Sequence, residues 1–432
     1  MENCFPSNFV DKILARLPKK SIMRFRCVSK EWSSYLVSDG FNKLRCTLRP
    51  PQRLLKLKYS GFSYINCENS FVPFVNDRSF FASFVNVDED SDGEDFCDFF
   101  DGEDFFVPSV SVEQNIRFKK PKFLVPSVSV EQSFPFKTPN RIVVNHIGSC
   151  DGLVCLHLDS LELVLWNPCT GIHRELPKLD VDDYTGGTAW LDVDDYTGVT
   201  AFGFGHAPAS CDYKIFIRLI LHSQEEVTQI FSLKANSWKK LENHGKKMLG
   251  NGLLLHGALH WDDNWDDLSV DDVGVVCNPN IIAFDVEGEE AYDVPSPPPD
   301  LLGDIQFARV GIIGDCLCMY GGWYGTTAPH YTTLDIWIMK EYCVQASWVP
   351  LIKVTFDDIG SHGYCYDASD MVFRELINNN GHMLMQDGRA RVLLIDTQSK
   401  TRSTPHYMGY MSATIPYTDG LASPYYPSSG ND

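Results

Sequence analysis

The chain has 432 residues, of which 44% are apolar and 12% aromatic, and its formal net charge is −20 at pH 7. This length favours a small unit joined to one large domain, and the apolar fraction can fill a large core. No stretch has the length of a membrane helix, and Met1-Glu2-Asn3-Cys4 lacks the character of a signal peptide. We therefore expect no membrane association and a cytoplasmic and/or nuclear location.

Two sets of apolar residues recur at helical spacing in the first forty residues. The first predicts one short helix and consists of Phe9, Ile13, Leu14 and Leu17. The second predicts two more and consists of Ile22, Phe25, Val28, Trp32 and Leu36. Ser7 or Asn8 can cap the first helix, and Pro18 cannot continue it. Because a unit this short has little core of its own, part of its apolar surface is expected to face a partner or the next domain.

These residues resemble the F-box, and the resemblance covers residues 1–46. The matching blocks are Phe5-Pro6, Ile13-Leu14, Arg16-Leu17-Pro18, Arg24-Phe25-Arg26-Cys27-Val28 and Lys30-Glu31-Trp32. Phe5 replaces the family's leucine but stays apolar. The resemblance implies binding to the Skp-type adaptor, and through it to the cullin, of a ubiquitin ligase. The implied adaptor-binding residues are Phe5, Pro6, Phe9, Ile13, Leu14, Leu17, Pro18, Ile22, Phe25, Val28 and Trp32.

Charge is distributed unevenly along the chain. Residues 1–50 contain ten Lys or Arg and four acidic residues, a net charge of +6. Because the whole chain has a net charge of −20, the remaining residues have a net charge of −26. A basic rim around apolar residues suits an acidic protein partner, although a merely solvated surface explains it equally well. Nucleic acid is not expected, because the acidic remainder would repel phosphates.

Short β-strand patterns repeat from about residue 140. They include 152–156, 163–167, 229–233, 252–255, 258–261, 281–285, 310–313, 316–320, 334–337, 382–385 and 392–396. A period of about forty to fifty residues is typical of propeller blades and allows about six of them. The predicted fold class is α plus all-β, a three-helix F-box followed by a β-propeller-like domain, which the resemblance described next implies to be kelch-related. An ordinary pair of β-sandwiches is the alternative.

This second region resembles the F-box-associated domain of plant F-box proteins. The matching blocks are 148–156, 166–171 with Leu176-Pro177, 202–205, Tyr213-Lys214, 231–233 with Ser237-Trp238, and 257–261. The resemblance implies a substrate-receptor domain that binds a target protein. Pollen self-incompatibility (S-locus) F-box proteins share this layout.

The region between the F-box-like residues and the β-domain is acidic. Ten acidic residues occur in the seventeen positions 88–104, which predicts an exposed or disordered insert within about 86–139. Asp88, Asp90 and Asp92 imitate the start of a calcium loop, but Phe99 stands where a bidentate Glu is required. The expected domains are 1–46, the connecting region 47–139, the β-domain 140–420 and a flexible tail 421–432.

Two exact duplications also lie in expected loops. Residues 107–114 recur at 125–132, and residues 179–186 recur at 191–198. A packed core would seldom tolerate such expansions, whereas a loop does, because lengthening it costs little closure entropy. If acidic loops share one face, a basic target is favoured; solubility alone explains them equally well.

No motif for catalysis is found. Phosphate-loop, serine-hydrolase and zinc-protease patterns are absent, and the fourteen cysteines include no C-x-x-C, so we expect reduced thiols, no metal and no cofactor. His256, His260 and His382 are expected to be structural, and the tryptophans to pack between strands. The chain is predicted to be a non-catalytic receptor. The alternative is a propeller enzyme or glycan-binding protein whose helical unit only packs internally.

Overall fold

A computed structural model of the chain describes a large part of its residues. They are 7–17, 19–36, 38–48, 53–57, 61–73, 124–128, 132–137, 145–158, 162–179, 198–221, 225–242, 245–262, 280–303, 305, 307–324, 331–355, 372–374, 382–386, 391–396, 401–402, 406–407 and 413–426. The chain divides into two compact units, Met1–Ser70 with Pro126–Asp432, and Phe71–Val125. Apart from residues 71–73 and 124–125, at the ends of two strands, the described residues belong to the first unit.

Four helices open the first unit. They are α1 (Ser7–Arg16), α2 (Lys19–Phe25), α3 (Lys30–Leu36) and α4 (Asp39–Leu48). The Ser29 hydroxyl accepts the N–H of Trp32 at 3.1 Å, and the Ser38 hydroxyl accepts the N–H of Phe41 at 3.3 Å, so serines cap α3 and α4. The sequence pattern predicted three helices, and α4 is an addition. None of the described helices is long and apolar enough to cross a membrane.

Strands form nearly all of the remaining regular structure. The first half contains β1 (Arg53–Leu57), β2 (Gly61–Pro73), β3 (Leu124–Val128), β4 (Gln132–Ser133), β5 (Asn145–Cys150), β6 (Leu153–His157), β7 (Leu163–Trp166), β8 (His173–Glu175), β9 (Gly198–Ala207), β10 (Asp212–Ile220), β11 (Glu226–Ser232), β12 (Ser237–Leu241), β13 (Gly250–Asn251), β14 (Leu253–Leu255), β15 (Ala258–Asp262), β16 (Ile281–Asp285) and β17 (Glu290–Val294). The second half contains helix α5 (Pro299–Leu302), β18 (Phe307–Ile313), β19 (Cys316–Tyr324), β20 (Tyr331–Met339), a 3-10 turn (Gln345–Ser347), β21 (Trp348–Thr355), β22 (Val372–Arg374), β23 (His382–Gln386), β24 (Arg391–Asp396), β25 (Thr401–Arg402), β26 (His406–Tyr407) and β27 (Ala413–Tyr417).

These strands form six sheets of four or five strands. Sheet 1 has the order β27-β1-β2-β3, with β4 also on β2; sheet 2 is β5 to β8; sheet 3 is β12-β11-β10-β9-β13. Sheet 4 is β14 to β17, sheet 5 is β18 to β21, and sheet 6 is β22 to β25 with β26 on β24. In sheet 1 the last strand pairs antiparallel with the first, and Leu55 lies opposite Ile415. Both ends of the β-region therefore share one sheet.

Successive sheets pack face to face, and the two-residue period of a strand decides which side chain faces which neighbour. In sheet 2, Val154 and Trp166 lie in the buried cluster shared with sheet 1, whereas Leu153 and Leu165 lie in the cluster shared with sheet 3. Clusters of the same kind join sheets 3 and 4 and sheets 4 and 5. An inner strand such as β7 is therefore buried on both faces, which explains its uninterrupted apolar run.

Two tryptophans join the outer strands of neighbouring sheets in the same way. The Trp238 indole N–H, on β12, donates to the carbonyl oxygen of Pro177 just after β8, at 2.8 Å. The Trp348 indole N–H, on β21, donates to the carbonyl oxygen of Pro295 just after β17, also at 2.8 Å. The bond thus recurs between sheets 3 and 2 and between sheets 5 and 4. This explains the recurring proline and tryptophan in the sequence.

Glycines in β9 allow sheets 3 and 4 to approach closely. A Cβ on Gly203 would lie 2.4 Å from Cδ1 of Leu259, and one on Gly205 would lie 2.8 Å from Cδ1 of Leu254. Residues 202–205 are therefore a packing strand and not a dinucleotide turn.

Several expected boundaries differ from the structure. The connecting region 47–139 contains β1 to β4, and the buried Phe134 and Phe136 pack around Trp166. The repeated copy 125–132 reaches β3 and β4, where it was expected in a loop. The tail expected from residue 421 is packed as far as the described residues extend, since Leu421 and Ala422 are buried by apolar neighbours. The acidic run 88–104 lies outside the described residues.

Candidate adaptor-binding site

The four helices enclose a small apolar core. Helix α1 packs on α4, α2 packs on α3, and α3 packs on α4. The buried core residues of the helices are Leu14, Ala15, Ile22, Leu36 and Phe41. Val10, Leu17, Phe25, Trp32, Leu44 and Leu48 pack partly buried around them. Most of the apolar stripe recognised in the sequence therefore stabilises the helical unit from within.

Three large apolar side chains are open to solvent among the described side chains of this unit. Ile13 on α1 is 48% exposed, Val28 in the turn after α2 is 63% exposed, and Tyr35 on α3 is 37% exposed. Exposure of this kind on a short helical unit is typical of a surface that a protein partner covers. We call Ile13 and Val28 the exposed apolar pair.

The sequence-predicted binding residues occupy three environments. Ile13 and Val28 are exposed, Leu14 and Ile22 are fully buried, and the remaining ones with described side chains are half-buried: Leu17, Phe25 and Trp32. The rings of Phe25 and Trp32 lie 5.7 Å apart, centroid to centroid. The side chains of Phe5, Pro6, Phe9 and Pro18 lie outside the described residues.

Basic residues lie close in sequence to each member of the exposed apolar pair. Lys12, Arg16, Arg24 and Lys30 are all exposed. The Arg16 guanidinium donates to the Lys12 carbonyl oxygen at 3.2 Å. A cationic rim beside exposed apolar groups raises the association rate with an acidic partner, while apolar burial supplies affinity.

Tyr35 is tied to α1 although part of it is exposed. Burial, together with the hydrogen bond to the Asp11 carboxylate and the negative charge of that group, raises the pKa of Tyr35. Its ring lies 5.3 Å from that of Phe41. This contact joins α1, α3 and α4, so Tyr35 serves the fold of the unit more than its surface.

Two polar residues on α4 were missed by sequence reasoning. Asn42 and Arg45 are both buried, with exposures of 2% and 1%. The Asn42 side-chain amide donates to the Asp151 carbonyl oxygen at 3.0 Å, and the Arg45 Nε donates to the Asp419 carbonyl oxygen at 3.3 Å. The helical unit is therefore fixed to the β-region through α4. The spacing of Phe41, Leu44 and Leu48 and the capping residue Ser38 could have indicated this helix.

In the described part of the β-region, a chain of hydrogen-bonded polar groups begins at the buried His260 and continues through two half-buried tyrosines. The His260 Nδ1–H donates to the Leu253 carbonyl oxygen at 3.2 Å, and its Nε2 accepts the Tyr342 hydroxyl at 2.7 Å. The Tyr342 oxygen in turn accepts the Tyr292 hydroxyl at 2.8 Å. Burial lowers the pKa of His260 to about 4, so its imidazole is neutral near pH 7. His260 is thus a buried, hydrogen-bonded histidine between neighbouring strands, as expected for a structural residue.

The described residues bring together no group of His, Cys, Asp and Glu suited to hold a metal ion. The described cysteines are all free, and Cys27, Cys211 and Cys343 among them are exposed. Of the tryptophans expected to pack between strands, Trp166, Trp261, Trp337 and Trp348 are buried, while Trp238 is half-buried.

Comparison with known families agrees with this architecture. The profile of the F-box domain matches residues 3–44, and the profile of the F-box associated beta propeller domain matches residues 103–415. The second match covers well over half of the chain. The chain belongs to the F-box proteins with an F-box-associated β-propeller domain, and the predicted fold class is confirmed.

Related proteins of Arabidopsis thaliana are named F-box proteins, and one of them is also named for kelch repeats. F-box/kelch-repeat protein At3g23880 is 24% identical over 357 residues, covering 81% of this chain and 79% of that protein. Putative F-box protein At5g62660 is 39% identical over 300 residues, covering 68% of this chain and 63% of that protein. F-box protein CPR1 is 25% identical, covering 60% of this chain and 62% of its own length.

Among solved structures, TolB from Acinetobacter baumannii matches with a TM-score of 0.31 at 11% identity, covering 62% of this chain and 55% of that chain.

Proposed function

We propose that this protein is the substrate-recognition subunit of a Skp-cullin-F-box ubiquitin ligase. The F-box would bind the Skp-type adaptor, and the β-domain would bind a target protein for ubiquitination and proteasomal degradation. The observation that carries the proposal is the exposed apolar pair Ile13 and Val28 beside exposed basic residues on an F-box. The family and the F-box relatives support it.

The chain itself has a positional role in this proposal. Ubiquitin transfer belongs to other subunits, and binding the target and the adaptor together raises the effective concentration of the target at the conjugating enzyme. The cytoplasm or the nucleus, where such ligases act, is the proposed location.

The adaptor is proposed to contact Ile13 and Val28 directly. Leu14 and Ile22, which the sequence placed among the contact residues, would support that surface from beneath, because both are buried in the helical core. The basic residues Lys12, Arg16 and Lys30 would face acidic groups of the adaptor.

Binding of a recombinant Skp-type adaptor to the full chain tests the proposal. We expect the double substitution Ile13→Glu with Val28→Glu to weaken adaptor binding by about a hundredfold or more, roughly 2.8 kcal/mol, because it puts charge where apolar area is buried. The control is Val344→Glu, which changes an exposed apolar side chain of the β-domain. Unchanged adaptor affinity in a folded double variant would show that the helices do not bind the adaptor.

The target is proposed to be a protein, and the net charge of −26 outside the first fifty residues favours a basic one. Proximity labelling during proteasome inhibition, compared between the native chain and the double variant, would identify it: targets accumulate in both, whereas ubiquitinated targets appear only with the native chain. A role in pollen self-incompatibility is a narrower proposal supported by domain layout alone. Absence of the protein from pollen would contradict it.

A further inference from the structure

The core of the F-box includes one side chain from the far end of the chain. Leu421 is 7% exposed and lies in one buried cluster with Leu14, Ile22, Leu36 and Phe41. No other residue of this cluster comes from beyond α4 among the part of the chain that the structure describes. The F-box is therefore completed by residues that follow β27. We call Asp419–Gly420–Leu421–Ala422 the C-terminal segment.

Asn42 holds the C-terminal segment and the β-domain at once. Its side-chain oxygen accepts the Leu421 N–H at 2.7 Å, and its side-chain amide donates to the Asp151 carbonyl oxygen at 3.0 Å. Asp151 lies in the tight turn between β5 and β6 at φ 52, and its carboxylate accepts the Tyr213 hydroxyl at 3.1 Å. One buried amide thus links α4, the C-terminal segment and sheet 2, and Tyr213 extends the link to sheet 3.

Arg45 makes a second link. Its Nη1 donates to the carbonyl oxygens of Ala15 at 3.1 Å and Leu17 at 2.7 Å, and its Nε donates to the carbonyl oxygen of Asp419 at 3.3 Å. Ala15 and Leu17 stand at the end of α1, where carbonyl groups have no partner within the helix. The guanidinium therefore closes α1 and ties it to the C-terminal segment.

The β-domain holds the same segment from the other side. The Asn167 side-chain amide donates to the carbonyl oxygens of Gly420 at 3.2 Å and Ala422 at 2.7 Å, and Asn167 is fully buried. A Cβ on Gly420 would lie 2.0 Å from the Asp151 carbonyl oxygen. The segment is thus pinned on both sides by buried polar groups, and displacing it would leave them unsatisfied.

We propose that the C-terminal segment is an integral part of the adaptor-binding unit, so that the F-box is ordered only when the β-domain is folded. Asn42 and Arg45 are positioning residues: both are buried, and they fix the exposed apolar pair relative to the β-domain. A receptor with an unfolded β-domain would then bind the adaptor poorly and would not occupy the ligase. The consequence for the ligase rests on the proposed function, whereas the coupling itself does not.

Hydrogen exchange of the full chain, read by mass spectrometry, tests the coupling segment by segment. In Leu421→Ala and in Asn42→Ala we expect the amides of α1 to α4 to exchange at least about tenfold faster, while those of β6, β7 and β10 exchange as in the native chain. Affinity for a recombinant Skp-type adaptor should fall by about tenfold or more. The matched control is Tyr425→Ala, just beyond the segment, since the described contacts of the Tyr425 side chain are with His173 and Arg174 of the β-domain.

The outcomes separate the two proposals. Unchanged exchange of the helices in both folded variants would overturn the coupling, and so would equally fast exchange in Tyr425→Ala. If Leu421→Ala does not fold, Asn42→Ser decides by the same two criteria, because it shortens the side chain without opening an apolar cavity. If the native chain binds no adaptor, the proposed function fails, and the exchange rates still decide whether the helices depend on the C-terminal segment.

Discussion

The indole N–H of Trp348 donates to the carbonyl oxygen of Pro295 at 2.8 Å and so joins the outer strand of sheet 5 to that of sheet 4. Trp238 and Pro177 repeat the bond between sheets 3 and 2. The two tryptophans differ in burial, since Trp348 is 4% exposed and Trp238 is half-buried. The recurrence at the periphery of the sheets indicates a common means of holding neighbouring sheets in register.

This pair allows a matched experiment. Trp348→Phe keeps an aromatic ring but leaves the Pro295 carbonyl without its donor, so we expect a loss of about 1–3 kcal/mol in the free energy of unfolding. Trp238→Phe should cost about 1 kcal/mol or less, because water reaches the Pro177 carbonyl more readily. Urea unfolding followed by fluorescence measures both. Equal losses would contradict the assigned role of burial.

Gly420 is expected to accept no side chain. In Gly420→Ala the new Cβ would overlap the Asp151 carbonyl oxygen and lie 2.8 Å from the Gly152 Cα, and both neighbours are backbone that cannot rotate away. We expect a loss of about 3 kcal/mol or more in the free energy of unfolding. Gly40→Ala, within α4 with nothing inside 4 Å of its Cβ, should stabilise by up to about 1 kcal/mol. Thermal melting compares them, and a Gly420→Ala chain as stable as the native one would refute the packing.

Protonation of His260 should destabilise the folded chain. The pKa of His260 is lowered to about 4 by burial, against 6.5 in the unfolded chain, so the unfolded state binds the proton more tightly. Its contribution to stability is complete above pH 6.5 and falls as the pH approaches 4. Between pH 7.5 and pH 5 the loss from this group is about 2 kcal/mol.

The comparison with His260→Gln isolates this effect. We expect the native chain to exceed the variant in melting temperature by more at pH 7.5 than at pH 5, because only the native chain loses the histidine contribution. If the difference in melting temperature is the same at both pH values, the pKa of His260 does not differ between the folded and unfolded states.

Glu289 links sheets 3 and 4 electrostatically. Its carboxylate accepts from Lys214 at 2.8 Å and from Lys239 at 2.6 Å. Burial opposes its ionisation, but the hydrogen bonds and charges of the two lysines outweigh burial, and the pKa of Glu289 is lowered. The ionised Glu289 therefore stabilises the folded state above about pH 4.3, the pKa of Glu in the unfolded chain. This stabilisation is lost as the pH falls through the pKa of Glu289 in the folded chain.

We expect Glu289→Gln to lower the free energy of unfolding by about 1–3 kcal/mol at pH 7, because it leaves the buried Lys214 ammonium without its carboxylate. The control is Glu225→Gln, whose partner Lys240 lies 3.4 Å away with both side chains exposed, and there we expect about 0.5 kcal/mol or less. Denaturant midpoints at pH 7 and pH 4 measure both. A Glu289→Gln deficit as large at pH 4 as at pH 7 would contradict the assignment.

Much of the β-region could be predicted because its determinants are local. Inner strands such as β6 and β7 appear as short apolar runs between turns, since both of their faces are buried. Strands β1 and β2 form a local hairpin but were assigned to a connecting region. The pairing of β1 with β27, about 360 residues away in sequence, has no neighbouring pattern that could indicate it.

For the F-box, spacing located the helices but not the surface. Ile13 and Leu14 are adjacent on α1, yet one is exposed and the other buried, and the four-residue periodicity admits either on the apolar face. The contacts of Asn42 and Arg45 with residues 421 and 419 span most of the chain, and no pattern in a single sequence indicates them. Part of the apolar surface of the short helical unit was expected to face a partner or the next domain, and Leu421, from beyond the last strand, does pack in its core.

The sequence separation of 379 positions between Asn42 and Leu421 has a consequence for synthesis on the ribosome. At translation rates of about 5–20 residues per second, the helices emerge roughly 20 to 80 s before the leucine that completes them is made. During that interval the nascent chain has the helices without their last core residue. A chain cut short by a nonsense codon would stay in that state, so truncated products would compete weakly for the shared adaptor instead of blocking it.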